Sequence, residues 1–205
     1  MRKNILKYCI FISLILLVQC SSFLRNPRPS IKQNFPKVDT SISYELVGWK
    51  GKENKIKATE ILKALHRTNK FKEISHFVKS DLEWKIQIIL DESPQLSILL
   101  GEPVQPVSWV VEKRPTRFFL YILNRLASVT TRLVIPIIQV SEEVVTFRIW
   151  KANQKVAEYS YPIDSIRAIG WISILLSFFD DKKEIQLIYA DYALKFLNDS
   201  EKNYE

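Results

Sequence analysis

Apolar and polar residues alternate most strictly in the stretch DLEWKIQIILD. Leu82, Trp84, Ile86, Ile88 and Leu90 take one side while Glu83, Lys85 and Gln87 take the other, the period-two signature of a half-buried strand. Upstream, SISYELVGW is compatible with a first strand and Gly48 to Asn54 with a turn. In KATEILKALHRT the period changes: Ile61, Leu62 and Leu65 share one helical face, and Lys57, Glu60, Lys63 and Arg67 populate the opposite one. Residues 94–116 hold Pro94, Pro103, Pro106 and Pro115, which remove amide donors and restrict the residue before each. A loop with one short strand around SWVVE is expected there. EEVVTFRIWKANQKVAEYSYPID predicts a β-hairpin turning near Ala152–Gln154, with Val145, Phe147 and Ile149 alternating with Thr146, Arg148 and Trp150. EIQLIYADYALKFLNDSE predicts a closing helix, since Ile185, Ile188, Tyr189, Tyr192, Ala193 and Phe196 recur at helical spacing. Together these elements predict an α+β fold: a single small domain over residues 41–200, with a mainly antiparallel sheet of about four strands on two or three helices.

Two apolar stretches do not reduce to this pattern. TRFFLYILNRLASVTTRLVIPIIQV has the length of a membrane span, but Arg117, Asn124, Arg125 and Arg132 interrupt it and Pro136 adds a break. A charge at a helix centre costs about 2.5–3.5 kcal/mol on insertion scales, so a buried or partly interfacial helix followed by an extended piece is expected. AIGWISILLSFF, residues 168–179, is too short to span. Apolar runs usually mark cores, and a core segment is the first expectation. The alternative is an interfacial element: Trp171 suits the headgroup level, and Ile172, Leu175, Leu176, Phe178 and Phe179 would dip into the acyl boundary. A multi-span protein using segments 118–140 and 166–179 is the rival topology.

The N-terminus shows a third apolar run with a different logic. MRKNILK carries Arg2, Lys3 and Lys7 without an acid, and YCIFISLILLV follows without any charge. A positive n-region and a short h-region are the marks of an export signal. The run ends on Cys20, followed by Ser21 and Ser22. Leu17, Val18, Gln19 and Cys20 resemble the lipobox of bacterial lipoproteins. In that family the signal is removed before the cysteine, the thiol carries diacylglycerol and the freed amine is acylated. The resemblance implies a signal over residues 1–19 and lipid attachment, palmitate included, at Cys20. Residues 20–40, with three prolines and no periodicity, are expected to form the lipidated end and a flexible tether. Residues 201–205 read as a polar tail.

Further along, Leu126, Thr131, Leu133 and Pro136, then a hairpin, then Trp171 and Phe178 resemble a group of uncharacterised bacterial lipoproteins of spirochaete-like type. The resemblance spans residues 120–197. It implies a small α+β envelope domain on an outer-membrane lipoprotein, with a role as an accessory to envelope transport or assembly.

Composition narrows the chemistry. The chain has 205 residues, 47% hydrophobic and 25% charged, which is ordinary for a globular domain and argues against wholesale disorder. Its four glycines cannot build a glycine-rich phosphate loop. Of its two cysteines, Cys9 lies in the signal and Cys20 takes the lipid, so no thiol remains for disulfides, redox chemistry or thiolate zinc. The net charge of +8 falls by three, to +5, when Arg2, Lys3 and Lys7 leave with the signal. Export makes nucleic acid the wrong counterpart for that charge; anionic headgroups, or solvent alone, fit it better. His66 and His76, even with Glu73 or Asp81, lack metal-ligand spacing. No nucleophile elbow accompanies them, and Ser75 beside His76 faces the other way on a strand. Asp180 and Asp181 beside Lys182 and Lys183 read as exposed charge at a turn, and the five tryptophans are too scattered for a stacking groove. The expectation is therefore a non-enzymatic, membrane-anchored binding or accessory component of the cell envelope. Cofactor, metal and nucleic acid are not expected, and the partners are membrane lipid through acylated Cys20 and an envelope protein or glycan. An envelope hydrolase relying on a histidine is the remaining alternative.

Overall fold

The computed structural model describes residues 19–31, 35–77, 82–92 and 111–204. Strands β1 (Gln19–Leu24), β2 (Val38–Val47), β3 (Phe71–His76), β4 (Trp84–Glu92), β5 (Ile137–Lys151) and β6 (Gln154–Gly170) form one sheet in the order β1-β6-β5-β4-β2-β3. The helices are α1 (Gly51–Arg67), α2 (Pro115–Thr130), the short α3 (Ile172–Leu176) and α4 (Lys182–Asp199). The described chain groups into two compact units: residues 19–25, 111–141 and 165–182 in the first, the rest in the second.

The α+β class stands, but the expected sheet of about four mainly antiparallel strands does not. Among the described residues the sheet has six strands and is mixed: β2 pairs in parallel with both β3 and β4, whereas β4 and β5, and β1 and β6, are antiparallel. The physical reason lies in α1. A helix between two strands carries the chain back to the end it started from, so β3 enters alongside β2 rather than against it. The one explicit pairing signal in the sequence is the β5–β6 hairpin, and that signal is antiparallel. β3 itself, FKEISH, shows no clean alternation that would mark it as a strand.

In the second unit, one face of the sheet is apolar. Register places Ile86 opposite Ile149, Ile88 opposite Phe147 and Leu90 opposite Val145, all buried. Phe147 stacks on Phe196 of α4 with ring centroids 4.5 Å apart, and Tyr161 of β6 stacks on Tyr192 at 5.1 Å. Helix α1 buries Ala58, Ile61, Ala64 and Leu65. The opposite sheet face carries polar pairs such as Arg148 with Glu158 and Gln87 with Glu45. Tyr204, placed by the sequence in a polar tail, is buried with its ring 5.0 Å from Phe71 and 5.4 Å from Trp84.

Two buried polar groups tie this unit together. Glu143 on β5 accepts from Lys57 Nζ of α1 through both oxygens, at 2.8 and 2.9 Å, and from the Tyr189 hydroxyl of α4. Both helices are thereby pinned to one strand. Lys70, 1% exposed, donates to the Leu197 carbonyl at 2.7 Å, so its ammonium meets the carbonyl end of α4. Burial pushes this amine below the usual lysine range, against a weaker upward pull from Glu201.

Removing one member of a buried ion pair leaves the other uncompensated at a cost of about 3–5 kcal/mol, whereas replacing both by apolar groups is far milder. Glu143→Leu is thus expected to destabilise by about 3 kcal/mol and Glu143→Leu with Lys57→Met by clearly less, measured by urea unfolding. For Lys70 the unfolded chain holds its proton to a higher pH than the native one, so native stability rises with pH across that window. The stability of the wild type relative to Lys70→Met should therefore increase as the pH climbs toward the ordinary lysine value of about 10.4; a flat difference would show that the native amine is not depressed.

Candidate functional site

The first unit has the opposite character to the second: its large apolar side chains point outward. Its framework starts at the edge strand β1. Cys20 pairs with Ile169 and Leu24 with Ser165, antiparallel, so the residues expected to begin a tether form the outermost strand of the sheet. An open strand edge presents unpaired amides and carbonyls. Here Asp180 and Asp181 close it. Asp180 Oδ1 accepts from the Ser22 amide at 2.9 Å, Asp181 Oδ2 from the Leu24 amide at 3.1 Å, and the Asp181 amide donates to the Ser22 carbonyl at 2.8 Å. The acidic pair, which read as exposed charge at a turn, thus serves as a cap along β1.

Cys20 lies at the surface of this strand. Partial burial pushes its thiol up and Asp180 adds to that rise, while Arg167 and Lys182 pull it down. The thiol therefore sits among charges at the end of the segment 171–179. Of the expected lipobox, Leu17 and Val18 lie outside the described residues, and Gln19 contributes its backbone to β1 opposite Gly170.

The segment 171–179 is not the core element that its composition suggested. Leu175 is 69% exposed, Phe178 87% and Phe179 72%. Ile172 is also exposed, and Trp171 and Leu176 are half-buried. What the segment buries is polar: Ser173 is inaccessible, donating to the Ala168 carbonyl at 2.9 Å while its own carbonyl accepts from Ser21 at 2.8 Å. With its one buried side chain a hydroxyl, α3 can stay docked through hydrogen bonds to β1 and β6 and leave its apolar residues outside.

Two contacts tie this segment to the end of α2. The Trp171 amide donates to the Leu133 carbonyl at 3.0 Å. A Cβ at Gly170 would stand 2.6 Å from that same oxygen, so the close approach requires glycine. The turn that delivers Leu133 is left-handed at Arg132 and Leu133, and the Leu133 amide returns to the Ser128 carbonyl at 2.7 Å, closing α2.

The multi-span rival fails on this geometry. Residues 166–170 belong to β6, α2 ends at Thr130, and among the described residues no helix is long and apolar enough to cross a membrane. The remaining candidates do not converge. His66 lies in the last turn of α1, and His76 packs edge-on against Tyr44 at 5.2 Å. Glu73 is exposed on β3, and Asp81 and Trp109 lie outside the described residues. Trp49 is buried with its indole donating to the Ile88 carbonyl, and Trp84 packs on Tyr204. Trp150 occupies the polar face of the sheet near Lys85. Sequence reasoning missed β1 and its aspartate cap. The Asp-Asp pair and the small Ser21-Ser22 step were visible, but nothing in either indicated the partner.

The sequence matches no family model and no curated protein. Several solved structures match the chain at low identity. A Xanthomonas campestris protein of the family DUF330 is 7% identical, with 87% of this chain and 95% of that one covered, at a TM-score of 0.41. The rare lipoprotein B of Shewanella oneidensis is 12% identical, covering 78% and 97%, at 0.37. A minor lipoprotein of Acinetobacter baumannii is 12% identical, covering 82% and 95%, at 0.38. Two of the three are lipoproteins by name, and at these scores none establishes a family.

The cap on β1 carries a direct expectation. Each lost amide–carboxylate bond removes about 1.5–3 kcal/mol of charge-assisted hydrogen bonding before solvent takes its place. Asp180→Ala with Asp181→Ala should speed amide exchange at Ser22 and Leu24 well beyond that of β4 residues, read by hydrogen–deuterium exchange. Unchanged protection would mean that β1 is held by β6 alone.

Proposed function

We propose that the protein is an exported, lipid-anchored component of the cell envelope, held at the outer membrane through acylated Cys20. Its role is non-enzymatic: it binds or assists an envelope protein or glycan. The observation that carries this reading is the place of Cys20. It stands in a hydrogen-bonded edge strand beside Asp180, one residue beyond the exposed Phe178 and Phe179. A lipid on that thiol emerges from folded structure rather than from the end of a long tether, so the first unit lies against the bilayer.

The energetics agree. A diacylglyceryl thiol with an acylated amine carries more than one chain and anchors stably by itself, where a single chain would bind only marginally. Fully burying a side chain of the size of Leu or Phe contributes about 1.5–3 kcal/mol. Leu175, Phe178 and Phe179 would add apolar contact to that anchor without a spanning helix, and Trp171 suits the headgroup layer. The absence of usable catalytic grouping around His66 and His76 in the sequence favours binding over hydrolysis.

The test is metabolic labelling with palmitate in the native cell, followed by membrane fractionation. Wild type should carry label and sediment with membranes. Cys20→Ser should lose the label, and Cys20→Ser with Phe178→Ser and Phe179→Ser should release more protein from the membrane than Cys20→Ser alone. Full label on the Cys20→Ser protein would sink the anchor.

A further inference from the structure

Helix α2 is built inside out. Its inward residues are polar and bonded: the Asn124 side chain donates to the Pro136 carbonyl at 3.0 Å and accepts from the Ile138 amide at 2.9 Å. Arg117 donates to the Val140 carbonyl at 3.2 Å, and Ser128, the one fully buried residue of the helix, donates to the Asn124 carbonyl at 2.7 Å. The outward side is a continuous apolar stripe, with Phe119, Leu120, Leu123, Leu126 and Val129 between 52% and 66% exposed. At 100° per residue these five fall within one half of the helix circumference. A helix normally turns its apolar stripe to the core and its polar side to water. Reversing both, and anchoring the polar side with hydrogen bonds to the start of β5, leaves the stripe uncovered among the described residues and open to something apolar.

We propose that α2 is a second membrane contact, lying in the plane of the bilayer and selective for anionic phospholipid headgroups. The charge pattern identifies the occupant. From Lys113 to Ser141 there are five basic residues and no acidic one; with Arg117 turned inward, the other four make a pattern that suits phosphate headgroups above an acyl layer. Lys113 and Arg132, both exposed, bracket the helix at its two ends. The Arg125 guanidinium stacks on Tyr121 at 4.5 Å, which brings an aromatic ring and a cation together at one flank of the stripe. Continuity supports the same occupant, since the Leu133 carbonyl that receives the Trp171 amide joins the end of α2 to the segment beside Cys20. This inference deepens the anchor reading and rests on it for the direction from which the membrane approaches.

The experiment uses the full chain processed in its native cell, with Leu123→Cys or, separately, Phe119→Cys carrying a nitroxide label. Both positions are exposed, so neither substitution empties a core site, and either site alone decides the outcome. The labelled protein is placed on phosphatidylglycerol-rich vesicles and on neutral phosphatidylcholine vesicles, and accessibility to oxygen and to a water-soluble nickel complex is read by electron paramagnetic resonance. On the anionic vesicles the label should lose nickel accessibility and gain oxygen accessibility, less so on the neutral ones. Lys113→Gln with Arg132→Gln should restore most of the nickel accessibility. A label that stays open to nickel on both vesicles, or that shows spin coupling to a second copy, overturns the proposal. Mass spectrometry of the same sample separates the two readings. Acylated Cys20 with a water-exposed label defeats the helix contact alone, and unmodified Cys20 in the wild type with a lipid-buried label in the Cys20→Ser, Leu123→Cys protein, whose label cannot attach at position 20, defeats the anchor alone.

Discussion

The backbone pairing of β1 with β6, closed on its outer side by Asp180 and Asp181, is the constraint on which the first unit depends. It places Cys20 opposite Ile169 and brings the Ser22 backbone within hydrogen-bonding distance of the 180–181 turn. Because the same turn follows Phe178 and Phe179, fixing the strand also fixes where those rings stand relative to the thiol. Two carboxylates on edge amides are well matched to this task. They satisfy donors that would otherwise invite another strand, and they do so at the surface, where ionised oxygens stay solvated.

The two units solve the burial problem in opposite ways. The second encloses its aliphatic and aromatic side chains between one sheet face and α1 and α4, and it admits polar groups to the interior only where they are paired, as Glu143 is with Lys57 and Tyr189. The first docks its helices through hydroxyls, an amide and backbone carbonyls: Ser173 on Ala168, Asn124 on Pro136 and Ile138, Trp171 on Leu133. Hydrogen bonds contribute only about 1 kcal/mol each net, so a unit held this way is expected to be the less stable part of the chain in water. A lipid surface covering the outward apolar residues would offset that deficit, and the anchor and the exposed faces then describe one adaptation rather than two.

The chain's own patterning made much of this legible. The alternation of Trp84, Ile86, Ile88 and Leu90, the hairpin around Ala152–Asn153 and the helical recurrence through Tyr189, Tyr192 and Phe196 all correspond to structure, because each is a local period that one sheet or helix face reads directly. The parallel pairing of β2, the strand character of residues 19–24 and the burial of Tyr204 were not legible. Each depends on a partner distant in sequence, and no local period encodes who that partner is.

The same division holds for the candidate site. By itself the sequence determined the placement of Cys20 at the end of an apolar, positively led N-terminus, the scarcity of other thiols, and the existence of two apolar runs at 118–140 and 168–179. Only the tertiary structure decided which way those runs face. Hydrophobic periodicity states that a helix has two sides but not which side meets the protein, and the hydrogen bonds from Asn124 and Ser173 to distant backbone groups settled it by drawing the polar sides inward. A polar group with a waiting partner can dock a helix as surely as an apolar stripe can, and that choice is made in three dimensions.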